Sequence, residues 1–344
     1  MAAHRGGRGR RGRTVGAAAA ALAALGLTGC GLGTGGGFVP SGELAGPLAD
    51  VQPLDDAEIA VGSKNFSEQL LVGKMAVILF KSAGAQVQDY TNIPGSSSTR
   101  QALLGDELDM VWEYTGTAWI AYLGETDPIP DEQEQWQAVK DADAEFGLTW
   151  LPPAPMNNTY GFAMTQESAE ELGITKLSEI QDIPEEERTF CVESEFNNRN
   201  DGFDPMLETY DIPRGDGVPE DNVRLYDTGA IYAATAQGDC TFGEVFTTDG
   251  RIQALDLVVL EDDRDFFPAY NLAPVVQEDV LEQYPQIEQL FAPVSEALTD
   301  DVLLELNARI DVDGQEPGQV AFDWLVDEGF ITDPQEAQAL APGD

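Results

Sequence analysis

The chain has 344 residues with 62 acidic and 18 basic side chains, which gives a formal net charge of −44 at pH 7. Such a surface repels the phosphate backbone, and we therefore expect no nucleic-acid partner. His4 is the single histidine, so the chain beyond it has no imidazole, which excludes Ser-His-Asp and Cys-His catalysis and His-ligated metal sites there.

The first 29 residues are typical of an export signal. Five arginines and no acidic residue precede an apolar, alanine-rich run at 15–27 that is too short to span a bilayer. The run leads into Cys30 through the sequence LTGC, which resembles the lipobox of bacterial lipoproteins, where the peptide is cut before a cysteine that carries lipid. We therefore predict a lipoprotein signal peptide over 1–29, lipidation of Cys30 and an extracytoplasmic, membrane-anchored protein. An unmodified cysteine in a disordered tail is the alternative, and the pair Arg10-Arg11 leaves twin-arginine export open.

Residues 30–56 are predicted to be a flexible tether. The segment is rich in Gly, Pro and Ala and shows no sustained periodicity. The exported remainder, about 315 residues long, is better suited to two lobes of ordinary domain size than to one.

From residue 58 the sequence predicts alternating strands and helices. The elements are a strand at 59–62, a helix that begins after Asn65–Glu68, a strand at 86–92, a helix at 97–105 and a strand at 109–112. The Asn65–Glu68 segment resembles a capping box. The βαβαβ order predicts parallel strands with helical crossovers. Ligands of open α/β sheets lie beyond the carboxyl ends of strands, so Tyr114 and Thr117, which follow the third strand, are candidate site residues. A lone buried aromatic is the alternative for Tyr114.

A second α/β unit is predicted after the proline-rich segment 152–155, which we interpret as a boundary. Its strands are predicted at 160–164, 189–192, 223–226, 240–246 and 258–260. Helices are predicted between them, and the tail from 277 onward is predicted to be mostly helical.

Two cysteines remain beyond Cys30, and both lie in this second unit, at Cys191 and Cys240. Outside the cytoplasm an isolated pair of cysteines favours one disulfide. We therefore predict that the two are bonded, with two buried thiols as the alternative.

Several segments, taken in order, resemble the substrate-binding proteins of osmoprotectant ABC transporters, which take glycine betaine, choline, carnitine and related quaternary amines. The segments are GSKNFSEQ at 62–69, EYTGT at 113–117, NNTY at 157–160, and TDGRI at 248–252 leading into FFPAY at 266–270. The resemblance implies an α/β, two-lobed periplasmic-binding-protein-like fold of type II, with two crossover strands and the ligand in the interlobe cleft. It implies a first lobe made of 57–157 plus 270–344 and a second lobe made of 158–269.

The resemblance also implies an aromatic box. The family's tyrosines fall on Tyr114, Tyr160 and Tyr270, and Phe246 stands where the family usually has a fourth tyrosine. A trimethylammonium group has charge but no N–H, so a carboxylate cage would leave a poorly paired buried ion, whereas each aromatic face offers ~0.5–2 kcal/mol of cation–π attraction. Phe246 keeps the ring face and loses the hydroxyl, which bears on affinity more than on the class of ligand.

Polar positions implied by the resemblance are Lys64, Gln69, Thr117 and Arg199. Arg199 lies in the sequence NRNDG, where the family has Arg-Pro-Asp-Gly, and its guanidinium fork would grip a betaine carboxylate. Ordinary surface charge is the alternative for Lys64 and Arg199.

The function that the resemblance implies is capture of a quaternary ammonium solute and its delivery to an ABC permease. The mechanism would be closure of the lobes on the ligand, without covalent chemistry, cofactor or metal. One alternative is a binding protein for another small zwitterion or cation such as an amino acid. The other is an extracellular hydrolase with two catalytic carboxylates, although the sequence singles out no such pair.

Overall fold

The computed structural model of the protein describes residues 39–125, 129 and 131–334. The predicted signal peptide and Cys30 lie outside these residues. Within the described part of the chain, no helix combines the length and the apolar character needed to cross a membrane.

Two five-stranded mixed sheets form the framework of the described residues. The strands are β1 (Glu58–Lys64), β2 (Gln86–Ile93), β3 (Met110–Tyr114), β4 (Leu148–Trp150), β5 (Tyr160–Thr165), β6 (Phe190–Val192), β7 (Val223–Leu225), β8 (Phe242–Phe246), β9 (Leu257–Val259) and β10 (Leu272–Gln277). The first sheet has the order β2-β1-β3-β10-β4 and the second the order β7-β6-β8-β5-β9. The chain therefore passes between the sheets twice, once between β4 and β5 and once between β9 and β10.

Helices cover both sheets. They are α1 (Ser67–Ser82), α2 (Ser96–Leu104), α3 (Thr115–Thr117) continued by a π-helical turn (Ala118–Tyr122), α4 (Glu132–Asp143), α5 (Gln166–Leu172), α6 (Ser194–Asn198), α7 (Phe203–Thr209), α8 (Thr228–Ala236), α9 (Arg251–Ala254), α10 (Glu278–Gln283), α11 (Ile287–Ala297), α12 (Asp300–Asp311) and α13 (Pro317–Asp327). We call the first sheet with α1–α4 and α10–α13 the first lobe, and the second sheet with α5–α9 the second lobe. The predicted two-lobed α/β fold is confirmed.

The pairing within each sheet follows the predicted order. β1 pairs in parallel with β2 and β3, as the βαβαβ pattern requires, and β6 pairs in parallel with β7 and β8. In each sheet one strand runs opposite to the other four: β10, between β3 and β4 in the first sheet, and β5, between β8 and β9 in the second. The crossovers thus bring one antiparallel strand into the middle of each sheet.

Each lobe has its own core. Helix α1 is apolar on nearly every side and is buried between the first sheet and α13, with Leu71, Met75 and Ile78 fully covered. The second core is rich in phenylalanine, and Phe162, Phe190 and Phe203 contact one another there. Rigid cores of this kind hold the strand ends that face the cleft.

The flexible tether predicted over 30–56 is wrong for residues 39–56. Leu48 and Leu54 are buried in the core of the first lobe. The backbone N–H of Leu54 donates to the carbonyl of Ala83 at 2.7 Å, and that of Ala45 donates to the carbonyl of Phe330 at 2.8 Å. Sparse leucines in a Gly- and Pro-rich segment show no periodicity, yet they are buried because the segment bonds to the chain at the end of α1 and to the residues that follow α13.

A disulfide joins Cys191 and Cys240 in the second lobe, with a Cα–Cα separation of 5.7 Å. Cys191 lies on β6, and Cys240 lies just before the neighbouring strand β8. The bond therefore ties together two adjacent strands, and both cysteines are buried.

Candidate ligand-binding site

A cavity of about 770 Å³ lies between the two lobes and is lined by residues of both. On the first-lobe side it is bounded by the ends of β1 and β3 and the start of α2, and on the second-lobe side by β5, β8 and the start of α8. Its position beyond the carboxyl ends of β1, β3 and β8 is the place where α/β sheets bind ligands.

Five aromatic side chains line the cavity, and we call them the aromatic wall: Phe66, Tyr114, Tyr160, Phe246 and Tyr270. The Tyr160 ring centroid lies 5.3 Å from that of Phe246 and 5.4 Å from that of Tyr270. The Phe66 ring connects the lobes, because its centroid lies 6.2 Å from that of Tyr114 and 5.2 Å from that of Phe246. The structure therefore brings together the four aromatic residues named from the sequence and adds Phe66.

The strand register explains part of this arrangement. Tyr160 and Phe246 are direct partners across the antiparallel pair β5 and β8, so their rings leave the sheet on the same side. Tyr114 ends β3, and Tyr270 stands two residues before β10, the antiparallel neighbour of β3. Strand pairing therefore sets the positions of Tyr114, Tyr160 and Phe246, and Tyr270 is held just before β10 by its backbone N–H, which donates to Oδ1 of Asn157 at 2.8 Å.

Two of the tyrosine rings are also held by buried carboxylates. The Tyr114 hydroxyl donates to Oε1 of Glu68 at 2.7 Å, and the Tyr270 hydroxyl donates to Oδ2 of Asp201 at 2.6 Å. Burial raises the pKa of both tyrosines, so the hydroxyls remain proton donors. The Tyr160 hydroxyl has no hydrogen-bond partner among the described residues, and its ring is held by packing against Phe196 and by the Arg199 guanidinium.

Glu68 accepts hydrogen bonds from both lobes and from the crossover. Besides Tyr114 it receives the amide of Asn158 at 2.9 Å, the hydroxyl of Thr248 at 2.6 Å and the amide of Asn307 at 2.9 Å. Burial raises the pKa of Glu68, and these four donors act against that rise. The Glu68 carboxylate thus links the two lobes at the base of the cleft.

The predicted capping box at Asn65–Glu68 is wrong. Helix α1 begins at Ser67, and its cap residue Phe66 makes no side-chain cap. The Asn65 side chain instead accepts from the backbone N–H of Gly95 at 3.3 Å. Glu68 faces the interior because several donors there satisfy a carboxylate better than one backbone N–H would.

Lys64 and Thr117 line the cavity as the sequence suggested, whereas Gln69 does not. The Lys64 ammonium lies 2.5 Å from Oε1 of Glu113 and 5.1 Å from the centroid of the Tyr114 ring. Gln69 is fully buried behind the wall, where its side-chain oxygen accepts from the backbone N–H of Lys64 at 3.2 Å. Lys64 therefore reaches the cavity as one half of a buried ion pair.

Arg199 does not line the cavity. Its guanidinium donates to both oxygens of Asp201, from Nε at 2.7 Å and from an Nη at 2.5 Å, and it lies 5.5 Å from the centroid of the Tyr160 ring. Since Asp201 also accepts from Tyr270, Arg199 braces two rings of the wall from behind. The expected grip on a ligand carboxylate would require this fork to leave Asp201.

The second lobe presents carboxylates to the cavity at Glu193, Glu195 and Glu244. Oε2 of Glu195 accepts from the backbone N–H of Ser96 at 3.0 Å, so it caps α2 of the opposite lobe. Burial raises the pKa of Glu244 to about 8. For Glu195 the hydrogen bond from Ser96 and the charge of Lys64 outweigh burial and lower the pKa.

Sequence reasoning missed Phe66, Glu68 and Glu244. The first two lie inside the quoted segment GSKNFSEQ, but nothing in that segment tells which side chains turn toward a cleft. Glu244 stands two residues before Phe246 on β8, and the two-residue period of a strand places both on one face. This periodicity could have identified Glu244 as a cleft residue from the sequence.

The described residues contain no group of three or more His, Cys, Asp or Glu side chains arranged to hold a metal ion.

Comparison with known proteins gives concordant matches. Residues 57–327 match the family model described as the substrate binding domain of ABC-type glycine betaine transport systems. A glycine-betaine-binding protein of Pseudomonas aeruginosa is 36% identical over 87% of this chain and 95% of that protein. The glycine betaine-binding protein YehZ of Escherichia coli is 32% identical over 84% of this chain and 97% of its own length. Its ligand-free structure superposes with a TM-score of 0.59, covering 79% of this chain and 99% of that one. A crystal structure described as a glycine betaine/carnitine/choline ABC transporter superposes with a TM-score of 0.64 at 25% identity, covering 78% of this chain and 98% of that one.

Proposed function

Because the chain belongs to the family of substrate-binding domains of ABC-type glycine betaine transport systems, we propose that it captures a small quaternary amine between its lobes and delivers it to an ABC permease. The observation that supports this proposal is the aromatic wall, whose five rings line one cavity from both lobes. Rings attract a cation that has no N–H to donate, and the attraction grows where water is excluded.

The mechanism that we infer is closure of the lobes around the ligand. The aromatic wall combines Phe66 and Tyr114 of the first lobe with Tyr160 and Phe246 of the second, so a cation among these rings binds both lobes at once. A ligand that contacts both lobes favours the closed arrangement by its differential affinity for it. Contacts between the lobes at Glu68 and Glu195 would then be made or tightened on closure.

The division of the chain is part of the proposal. The first lobe would comprise 57–157 plus 270–344, and the second 158–269. Cys30 would carry lipid after removal of 1–29 and would hold the protein at the outer face of the membrane. In cell fractionation we expect the full-length protein to sediment with membranes and a Cys30→Ser variant to be released or retained as the uncut precursor. Equal membrane association of a fully processed Cys30→Ser protein would contradict the lipid anchor.

Calorimetric titration with choline, glycine betaine, proline and arginine tests the ligand class. We expect binding of at least one of the two trimethylammonium compounds and weaker or no binding of the two amino acids. Thermal unfolding with the same ligands gives an independent reading, since a ligand that binds only the folded state raises the Tm. A large rise with proline or arginine and none with the trimethylammonium compounds would favour an amino-acid receptor instead.

A further inference from the structure

Glu244 lines the cavity next to the aromatic wall. On β8 it shares a face with Phe246, and in the antiparallel register Phe246 stands opposite Tyr160. The Glu244 residue is only 3% exposed, yet it lines the cavity. A ligand whose cation rests on these two rings therefore extends past a carboxyl group.

Only one oxygen of this carboxyl group has a partner among the described residues. Oε2 accepts from the backbone N–H of Glu193 at 2.7 Å. No hydrogen bond to Oε1 is present within the described residues. The lining of the cavity thus contains a carboxyl oxygen that a ligand donor would satisfy.

The cations near the cavity are already opposed by carboxylates. Lys64 is paired with Glu113 at 2.5 Å. Arg251, which also lines the cavity, forms a two-pronged pair with Asp249. Arg199, which lies behind the wall, forms a two-pronged pair with Asp201. Each cation that lines the cavity among the described residues is therefore already opposed by at least one carboxylate.

We propose that Glu244 contacts the end of the ligand opposite the trimethylammonium group, an inference that rests on the proposed function. Through this contact Glu244 selects a hydroxyl-bearing cation such as choline over a zwitterion such as glycine betaine. The choline hydroxyl is a donor and would satisfy the unpaired Oε1. Glycine betaine has no donor, and its carboxylate would lie near Glu244, Glu193 and Glu195, while the lining cations Lys64 and Arg251 already face carboxylates of the protein. The selection therefore comes as much from repulsion of the carboxylate as from attraction of the hydroxyl.

The selection depends on the ionisation of Glu244, which provides a test. The groups that face it are Glu193 and Glu195 from the β6–α6 segment, Arg199 behind them, Tyr160 on β5, and Lys64 across the cavity. With a pKa of about 8, Glu244 is largely protonated at pH 6 and ionised at pH 9. A protonated carboxyl group donates to a carboxylate and no longer repels it. Preference for choline should therefore rise with pH.

The experiment is a calorimetric titration of the wild-type protein and of Glu244→Gln with choline and with glycine betaine, at pH 6 and pH 9 and at one ionic strength. In the wild type we expect the ratio of the Kd for glycine betaine to that for choline to increase about tenfold or more from pH 6 to pH 9, the scale of one hydrogen bond to a charged group. In Glu244→Gln the ratio should no longer change with pH. Glu171→Gln, an exposed charge change in the same lobe, serves as the matched control and should behave as the wild type.

Other results of these titrations would contradict the proposal. Tighter binding of glycine betaine than of choline by the wild type at pH 9, or an equal pH dependence in Glu244→Gln, would overturn the assignment of Glu244. Glu195→Gln adds a further check: a loss of the pH dependence there, with none in Glu244→Gln, would move the selecting group to Glu195. If neither ligand binds any of these proteins at either pH, the proposed function fails rather than the inference about Glu244. Thermal unfolding of every variant establishes that it is folded.

Discussion

Replacement of Tyr160 gives the sharpest test of the aromatic wall. Its ring stands between those of Phe246 and Tyr270, at centroid distances of 5.3 Å and 5.4 Å, and Phe196 supports it from behind at 4.6 Å. Tyr160→Leu keeps much of the bulk and removes the ring quadrupole. We expect the quaternary amine to bind more weakly by ~1–2 kcal/mol, which is about five- to thirtyfold in Kd.

The structure also predicts how a milder change behaves. The Tyr160 hydroxyl has no hydrogen-bond partner among the described residues, so Tyr160→Phe should keep the affinity within about twofold because the ring face remains. The Tyr270 hydroxyl donates to Asp201 at 2.6 Å, so Tyr270→Phe should cost more than Tyr160→Phe. The Leu changes at Tyr114 and Tyr270 should each weaken binding on the same scale as Tyr160→Leu.

Isothermal titration of the variants at one pH and salt concentration measures these effects, and thermal unfolding checks that each variant folds. Tyr284→Leu, a partly buried tyrosine of the first lobe outside the cavity, controls for loss of any aromatic ring. Unchanged affinity in all three Leu variants would show that the cation does not lie on these rings. Equal losses for Tyr160→Phe and Tyr160→Leu would show that the hydroxyl, rather than the ring face, makes the contact.

Four further predictions follow from the contacts described above. After alkylation of the unreduced protein, mass spectrometry should show Cys191 and Cys240 unmodified, and two alkylated thiols would refute the bond. Replacing both cysteines with Ala should lower the free energy of unfolding by ~2–5 kcal/mol. Arg199→Ala should weaken binding of choline and glycine betaine by similar factors because Arg199 braces the wall, and a loss confined to glycine betaine in paired titrations would instead indicate a direct grip on its carboxylate. Glu68→Gln should lower the free energy of unfolding, measured with denaturant, by ~1.5–3 kcal/mol, since the amide nitrogen replaces an oxygen that accepts from two of the four donors; an unchanged value would mean that Glu68 does not stabilise the contact between the lobes. The pKa of Glu244 is higher in the folded state than in the unfolded state, so the contribution of its protonated form to stability, fully present below about pH 4.5, should be lost as the pH rises through about 8. Denaturant unfolding from pH 5 to 9 should show a smaller change of the free energy of unfolding with pH for Glu244→Gln than for the wild type. An equal change in both proteins would contradict the raised pKa.

The sequence by itself determined the fold class and the aromatic positions. Alternation of short apolar strands with amphipathic helices requires parallel pairing with crossovers, and this local pattern survives in the sheets. Tyr114 stands at the end of a recognisable strand, so its place at the cleft followed from the geometry of open sheets, whereas Phe246 was placed by the resemblance of its segment to a known family. Tyr160 and Tyr270 were placed by the resemblance of their segments to a known family.

Only the tertiary structure decided which partners the polar residues take. Glu68 was expected to cap α1, and Arg199 was expected to meet the ligand, because each side chain fits a local motif. In the folded chain Glu68 receives donors from positions as distant as Asn307, and Arg199 is held by Asp201. The burial of Leu48 and Leu54 likewise depends on distant helix ends. Hydrophobic periodicity is a property of neighbouring residues in the chain, whereas a buried charge takes whichever partners the fold brings near it, and a local segment does not contain that information.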